Sequence, residues 1–132
     1  MTSAVEYFMN GYSCSESIVK ACTDKGLCPI ELLPCATSFS AGMSSGCLCG
    51  AVAGAQMVLG YNFGRENVNG NELQAREKAR EFVDEFKLRN KVTCCRALTQ
   101  GLEGIARKQH CCKMVADAEE ILNKLVMEKS SV

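Results

Sequence analysis

The chain has 132 residues, and its fifteen basic side chains balance fifteen acidic ones to a formal net charge of zero. This length suits one domain over residues 1–132 and leaves no room for a second catalytic domain. A hydrophobic fraction of 47% argues against a disordered chain. Because the chain has no basic excess and no tryptophan, nucleic-acid binding by bulk electrostatics or base stacking is disfavoured.

The ten cysteines are the unusual feature of the composition. Residues 1–10 lack the basic and apolar regions of an export signal, which predicts a cytoplasmic protein whose disulfides would meet a reducing pool. The most apolar segment, residues 47–63, contains Gln56 and Asn62 and is too short to span a membrane. We therefore interpret the cysteines as ligands, redox thiols or small core side chains, and expect no membrane partner.

Strand signals are weak, whereas apolar residues recur at helical spacing in several segments. The sequence therefore predicts an all-α, single-domain bundle of about six helices around one core. The pattern places helices over residues 1–10, 13–25, 29 or 30 to 39, 46–59, 73–89, 93–98 and 110–127. Ser13 and Glu16 form a capping box for the second helix, and Thr93 is expected to cap the short helix 93–98.

The helices at 73–89 and 110–127 have the clearest apolar stripes. The stripe predicted for the first consists of Leu73, Ala79, Phe82, Val83 and Phe86. The inward-facing side chains predicted for the second are Val115, Ala118, Leu122, Leu125 and Val126. Glu72 and Arg76 have the i,i+4 spacing of a stabilising ion pair.

Glycine recurs every four residues in the predicted helix 46–59, at Gly46, Gly50 and Gly54. A glycine inside a helix costs about 1 kcal/mol relative to alanine, so three on one face need a reason. Close approach of a second backbone or of a bulky cofactor is one reason, and the three are candidate cofactor-binding residues. Tight helix–helix packing alone explains the stripe equally well.

Four cysteines fall near predicted helix starts. They are Cys14, Cys49, Cys95 and Cys112. The free N–H groups and the positive dipole end of a helix stabilise a thiolate, and the same amides suit an anionic metal–thiolate cluster. Arg96 and Lys113 directly follow two of these cysteines and add positive charge. The four cysteines are therefore predicted to be ionised metal ligands.

Three other cysteines have simpler interpretations. Cys22 follows Ile18 by four residues on one helix face, so we predict that it is a buried small hydrophobic side chain. Cys28 and Cys35 flank an apolar helix and carry no spacing typical of a site.

The last three cysteines lie within two residues of cysteines already identified as candidate ligands. Cys47, Cys94 and Cys111 are alternative ligands or resolving thiols for the neighbouring cysteines. His110, the only histidine, precedes a cysteine pair and is a candidate ligand, although such a position is more typical of a capping or surface residue.

Several segments of the chain, taken in order, match a known pattern. They are residues 11–17 (GYSCSES), 42–43 (GM), 49–54 (CGAVAG), 95–98 (CRAL) and 112–115 (CKMV). Together they resemble the C_GCAxxG_C_C family of redox-active proteins, over nearly the whole chain from Tyr7 to about Leu125. The resemblance implies that the family's four signature cysteines are Cys14, Cys49, Cys95 and Cys112.

The match is not perfect at the cysteines. Cys94 and Cys111 leave the last two signature assignments open by one residue, and Cys47 adds a C-x-C that departs from the family pattern. A similar module occurs in split-Soret cytochromes beside haem-binding sequence and an iron–sulfur site. Because this chain lacks C-x-x-C-H, the resemblance implies an iron–sulfur or other metal site without covalent haem.

The leading functional hypothesis is a metal-cluster protein. Four thiolates from different helices complete the ligand set of an iron–sulfur cluster, with [2Fe–2S] favoured. Such a protein is an electron carrier or redox sensor rather than a catalyst. It requires a redox partner protein, and a homodimer is compatible with it.

Three alternatives remain. A metal-free thiol–disulfide oxidoreductase would use Cys49 or Cys112 for attack and a neighbour such as Cys47 or Cys111 for resolution, although no C-x-x-C is present. A structural zinc site is less favoured, because a bundle of this length folds without metal. A cysteine-rich interaction protein without a site is the simplest alternative.

Overall fold

The computed structural model describes residues 2–130, and every element of regular secondary structure within that range is helical. The predicted all-α fold is therefore confirmed. The seven helices of this range are α1 Ala4–Met9, α2 Cys14–Asp24, α3 Leu32–Thr37, α4 Gly50–Phe63, α5 Leu73–Asn90, α6 Cys95–Leu98 and α7 Gly104–Ser130. Met1, the first residue of the predicted helix 1–10, lies outside the described residues. None of the helices described here is long and apolar enough to cross a membrane.

The centre of the bundle is formed by α2 and α4. α2 packs against α1, α3, α4 and α7, and α4 packs against α5 and α7 as well. Side chains on all sides of α4 are buried, among them Ala51, Val52, Ala55, Val58 and Leu59. A helix that is apolar all round is stable only when other helices surround it.

α5 and α7 close the core from the outside. All five side chains predicted to face inward from α7 are buried, as are Phe82 and Phe86 on α5, whose rings stack with centroids 6.2 Å apart. Leu73 was wrongly assigned to the α5 stripe, because its side chain is 61% exposed. At about 100° per residue, nine residues turn a helix by roughly 180°, so Leu73 lies on the side opposite Phe82.

Besides α1 and α3, which begin two or three residues later than predicted, three helix starts near the cysteines are wrong. α4 begins at Gly50, because Gly46 belongs to a tight turn at 42–46 and has a φ of +69°. α7 begins at Gly104 rather than His110, since residues 106–109 are good helix formers. Cys94, not Thr93, is the N-cap residue of α6. The Thr93 carbonyl instead accepts a hydrogen bond from the N–H of Cys49, the residue before α4.

Two local predictions are confirmed. Ser13 caps α2 with the complete capping box, since its hydroxyl accepts from the Glu16 N–H while its own N–H donates to the Glu16 carboxylate. Glu72 and Arg76 form the expected ion pair, with an N···O distance of 3.3 Å.

Two of the glycines in α4, Gly50 and Gly54, face α2. A Cβ atom added at Gly54 would lie 2.7 Å from the Ser15 carbonyl oxygen and 3.3 Å from the Ile18 Cβ, and one at Gly50 would overlap the Cys14 Sγ. Close helix–helix approach therefore accounts for these two glycines. Gly46 is outside the helix and lies against the Arg96 side chain.

We expect Gly54→Ala to destabilise the protein by about 1–3 kcal/mol, since the added methyl group meets the backbone of α2 and forces the two helices apart. Gly60→Ala is the matched control in the same helix, because a Cβ there meets no atom within 4 Å. It should stabilise the protein by up to about 1 kcal/mol. Urea unfolding midpoints of the two variants measure both effects, and an equal shift in both would contradict this account of the α2–α4 contact.

Candidate metal centre

A cavity of about 260 Å³ opens where the starts of α2, α6 and α7 meet α1. Its lining contains three cysteine thiols, two cationic side chains and no carboxylate. The lining residues are Phe8, Ser13, Cys14, Ser40, Ala41, Cys95, Gly104, Arg107, Lys108 and Cys111. The cavity therefore combines soft sulfur donors with positive charge.

Cys14 reaches this cavity because the capping box fixes the start of α2 beside it. The Glu16 carboxylate also accepts a hydrogen bond from the Thr37 hydroxyl at 2.7 Å, which ties α2 to α3. The Ser13 N–H and the Thr37 hydroxyl hold the pKa of Glu16 below its usual value. Gly50 leaves the space that the Cys14 sulfur occupies against α4.

Cys49 and Cys95 are held together by the backbone. The Cys49 N–H donates to the Thr93 carbonyl at 2.7 Å, the Cys95 N–H donates to the Cys47 carbonyl, and Leu48 pairs with Cys94 in an isolated antiparallel bridge. These contacts bring the start of α4 to the start of α6. Both Cys49 and Cys95 are buried.

The turn that precedes this bridge is strained. Ala41, Met43 and Ser44 have φ values of 53°, 61° and 54°, and each left-handed non-glycine residue costs about 1 kcal/mol or more. A Cβ at Gly42, where φ is +65°, would lie 2.6 Å from the Cys95 Cβ. Glycine therefore allows the turn to pass directly over Cys95.

The vicinal pair on α7 has one sulfur on the cavity and one outside it. The sequence placed Cys111 and Cys112 at the start of the last helix. Because α7 starts at Gly104, they lie in its third turn instead. Cys111 lines the cavity, whereas the Cys112 Sγ lies 3.4 Å from the Met9 Sδ. The alternative that the sequence left open, Cys111, is thus the residue beside Cys14 and Cys95.

The four sulfurs of Cys14, Cys49, Cys95 and Cys111, which we call the inner sulfurs, influence one another. After burial, negative charge on Cys14 and Cys95 is among the causes that raise the pKa of Cys49 and of Cys111. Within residues 2–127, no three His, Cys, Asp or Glu side chains are placed to hold a single metal ion. The inner sulfurs are neighbours without being closed around one point.

Burial dominates the ionisation of these thiols. It raises the pKa of Cys49 to about 12, although the N–H groups of Val52 and Ala51 hydrogen-bond to the sulfur and oppose the shift. Burial also raises the pKa of Cys111, and the charge of Cys14 adds to that effect. Without a metal, desolvation outweighs the helix dipole at Cys49, so the helix start alone does not ionise this thiol; its ionisation as a metal ligand stays a prediction.

Two cations in the cavity were missed by the sequence analysis. The Arg107 Nη2 lies 3.7 Å from the Cys95 Sγ, and the Lys108 Nζ lies 3.7 Å from the centroid of the Phe8 ring. Neither cation forms an ion pair with a carboxylate of the described residues. The i,i+4 spacing of Arg107 and Cys111 would have revealed the first of them, had α7 been predicted from Gly104.

The remaining candidates lie elsewhere. Cys22 is buried in the core as predicted, and burial raises its pKa to about 12. Cys35, Cys47 and Cys94 are exposed. His110 lines a separate groove beside Asn90, Lys91 and Lys113. All ten cysteines are free thiols.

In metal-free protein, we expect a short pulse of iodoacetamide at pH 8 to label Cys35, Cys47 and Cys94 first, and Cys22 and Cys49 last. Only the thiolate reacts, and a thiol with a pKa of about 12 is ionised in roughly one molecule in ten thousand at pH 8. Peptide mass spectrometry after timed quenching measures the order. Rapid labelling of Cys49 would show that the helix dipole lowers the pKa of this thiol more than burial raises it.

Comparison of the sequence with known protein families identifies one that covers this site. A family model described as "Putative redox-active protein (C_GCAxxG_C_C)" matches residues 12–125, which include every residue of the cavity lining except Phe8. No curated protein and no solved structure matches the chain. The match extends over most of the sequence and includes the segments of all four inner sulfurs. The chain therefore belongs to the C_GCAxxG_C_C family of redox-active proteins.

Proposed function

We propose that the protein is an electron-transfer or redox-sensing protein in which Cys14, Cys49, Cys95 and Cys111 hold an iron–sulfur centre, with [2Fe–2S] favoured. The observation that carries the proposal is that three of these sulfurs, from three separate chain segments, line one cavity without a carboxylate, and that Cys14 and Cys95 lie close enough to Cys49 for their charge to raise its pKa. Four thiolates are the ligand set of such clusters. When bound, the centre supplies reversible one-electron transfer.

The spacing of the sulfurs favours a cluster over a single zinc ion. Zinc holds each thiolate at about 2.3 Å, so four sulfurs around it lie within about 4 Å of one another. The described side chains include no such set of three or more ligands. A cluster of several metal ions keeps its thiolates farther apart and needs room between them, which a cavity of about 260 Å³ offers.

The charges around the cavity suit an anionic centre. Four thiolates give an iron–sulfur centre a net negative charge, and that charge grows on reduction. Arg107 and Lys108 line the cavity without carboxylate partners among the described residues, so both are available to balance it. A polar contact to a ligand sulfur is one of the ways in which a protein tunes its centre.

The same charges suggest which redox partner docks here. Five basic side chains have no ion-pair partner among residues 2–127, and all lie between the last turn of α5 and the first turns of α7. They are Lys87, Lys91, Arg96, Arg107 and Lys108. Opposite charge steers the encounter of two proteins and speeds their association. We infer that the partner is a redox protein with an acidic docking surface.

Protein purified without oxygen should contain iron and sulfide in stoichiometric amounts and show visible absorption that dithionite bleaches. Replacing any inner sulfur should abolish that absorption and the bound iron, because each sulfur completes the ligand set. The four variants are Cys14→Ser, Cys49→Ser, Cys95→Ser and Cys111→Ser. Absorption spectra with iron and sulfide analysis measure the outcome.

The chain supplies matched controls for two of these variants. Cys94→Ser and Cys112→Ser each change the neighbour of an inner cysteine, and both should keep the full iron content, because one side chain is exposed and the other contacts Met9. A colourless, metal-free wild type would refute the proposal. Loss of iron in Cys112→Ser but not in Cys111→Ser would assign the fourth ligand to Cys112.

Arg107→Gln should lower the reduction potential of the centre, since it removes a positive charge 3.7 Å from the Cys95 sulfur and disfavours the more negative reduced state. A tenfold change in the reduction equilibrium corresponds to about 60 mV for one electron, and we expect a shift of that order. Lys113→Gln is the control, because it removes the same charge from α7 at a residue already paired with Asp117. Equal shifts in a dithionite titration of both variants would contradict a direct role for Arg107.

A further inference from the structure

One wall of the cavity is formed by α1, the short helix Ala4–Met9. Phe8 lines the cavity from this helix, and its side chain is only 6% exposed. Every other lining residue belongs to the region 12–125 that the family model matches. The proposed function gives this wall no role.

α1 holds its shape because both of its ends are capped. A capping box closes its start. At its end, the Tyr12 N–H donates to the Tyr7 carbonyl at 3.2 Å, and the rings of these two residues meet edge to face. The Gly11 N–H donates to the Phe8 carbonyl, which completes the pair of bonds of a Schellman motif. Gly11 has a φ of +110°, a backbone conformation that favours glycine. The capped helix therefore gives Phe8 a fixed position.

α1 is attached to α7 near both of its ends. At the start of α1, the Ala4 N–H donates to the Glu119 carboxylate at 3.1 Å. Near its end, the Lys108 Nζ lies 3.7 Å from the centroid of the Phe8 ring, within the range of a cation–π interaction. Lys108 forms no ion pair with a described residue, so its ammonium group has no carboxylate to draw it away from the ring.

The size of the cavity limits what can enter it. Phe8, Lys108 and Cys14 line the same space, which has a volume of about 260 Å³. Sites for drug-sized ligands measure about 300–1,000 Å³, so this cavity suits ions and smaller molecules. A larger molecule that approaches Cys14 from this side meets the Phe8 ring and the Lys108 side chain that packs on it.

We propose that Phe8 and Lys108 form a gate, which admits small molecules and ions to the inner sulfurs and excludes larger ones. The ring fills the space at this wall, and the Lys108 charge holds the ring in place. Selection by size depends on the cavity alone. The protection of a metal centre from large chelators and from the thiols of other proteins rests on the proposed function.

The test compares two thiol reagents of different size on metal-free protein. They are N-methylmaleimide and a maleimide that carries a long polyethylene glycol chain. Both react with the same thiolate, so the ratio of their rates at one cysteine cancels its pKa and reports access. Trypsin leaves Cys14 as the only cysteine of residues 1–20 and Cys22 as the only cysteine of residues 21–25, and mass spectrometry after timed quenching follows each.

At Cys14, the ratio of the small to the large reagent should be higher in folded wild type than in protein unfolded in urea. Phe8→Ala should lower the ratio by about tenfold or more, because loss of the ring leaves a void in the wall. Lys108→Gln should lower it by about two- to fivefold, which corresponds to the loss of an exposed cation–π interaction.

Lys113→Gln is the matched control for the charge. It removes the same charge from α7 at a residue that pairs with Asp117, and it should keep the wild-type ratio. An unchanged ratio at Cys14 in Lys108→Gln, or an equal fall in Lys113→Gln, would overturn the proposal. So would an unchanged ratio in folded Phe8→Ala. Rapid labelling of the buried Cys22 would reveal that Phe8→Ala unfolds the chain, and the half-buried Lys108 then decides the test.

A second measurement separates the gate from the proposed function. In iron-loaded protein, both gate variants should lose iron to the large chelator bathophenanthroline disulfonate several times faster than the wild type. A protein that binds no iron but shows the expected ratios at Cys14 would refute the centre and support the gate. Unchanged ratios in a protein that holds its iron would overturn the gate and leave the centre standing.

Discussion

The close approach of α2 to α4 is the contact on which the site depends. Gly54 lies against the backbone of Ser15, and Gly50 lies against the sulfur of Cys14, so the two helices meet at a distance that no larger residue allows. Ser15 is fully buried in this contact, and its hydroxyl donates to the Ala36 carbonyl at 2.7 Å. That hydrogen bond offsets the cost of burying a polar group and fixes α3 against α2. The first turn of α2 is thereby held beside the start of α4, and Cys14 beside Cys49.

Burial at this contact sets the chemistry of the thiols. A sulfur at a helix start in water gains from the dipole, but Cys49 is buried, and burial raises its pKa to about 12. A protonated thiol is a poor nucleophile at neutral pH, which argues against Cys49 as the attacking residue of a thiol–disulfide enzyme. A metal displaces the proton by binding the thiolate directly, so burial is less of an obstacle to a ligand than to a nucleophile. The buried position therefore favours the metal-centre proposal over a metal-free enzyme that attacks through Cys49.

Local patterns predicted most of the fold, and long-range packing decided the rest. The capping box of Ser13 and Glu16 and the inward face of α7 were readable because each involves residues within one helix. The start of α7 was missed because Gly101 and Gly104 are typical helix breakers, yet Gly104 is the first residue of the helix, with a φ of +58°. That error concealed Arg107 and moved Cys112 to a helix start. The sequence did not predict the turn at 42–46, since nothing within it indicates that Gly42 lies against the Cys95 side chain.

Backbone geometry explains why only one cysteine of each adjacent pair faces the cavity. Consecutive residues point about 100° apart on a helix and to opposite sides of a strand, so two adjacent sulfurs cannot both face one small cavity. Cys111 and Cys112 divide in this way on α7, and Cys95 and Cys94 divide at the entry to α6. The sequence therefore places an outer sulfur next to an inner one wherever a pair occurs. An inner sulfur is enclosed with other sulfurs and cations, whereas Cys94 faces solvent at the turn that Cys47 also reaches. The structure thus resolves the doubling of cysteines that left the ligand assignment open in the sequence, because one sulfur of each pair faces the other inner sulfurs and its neighbour lies outside the cavity.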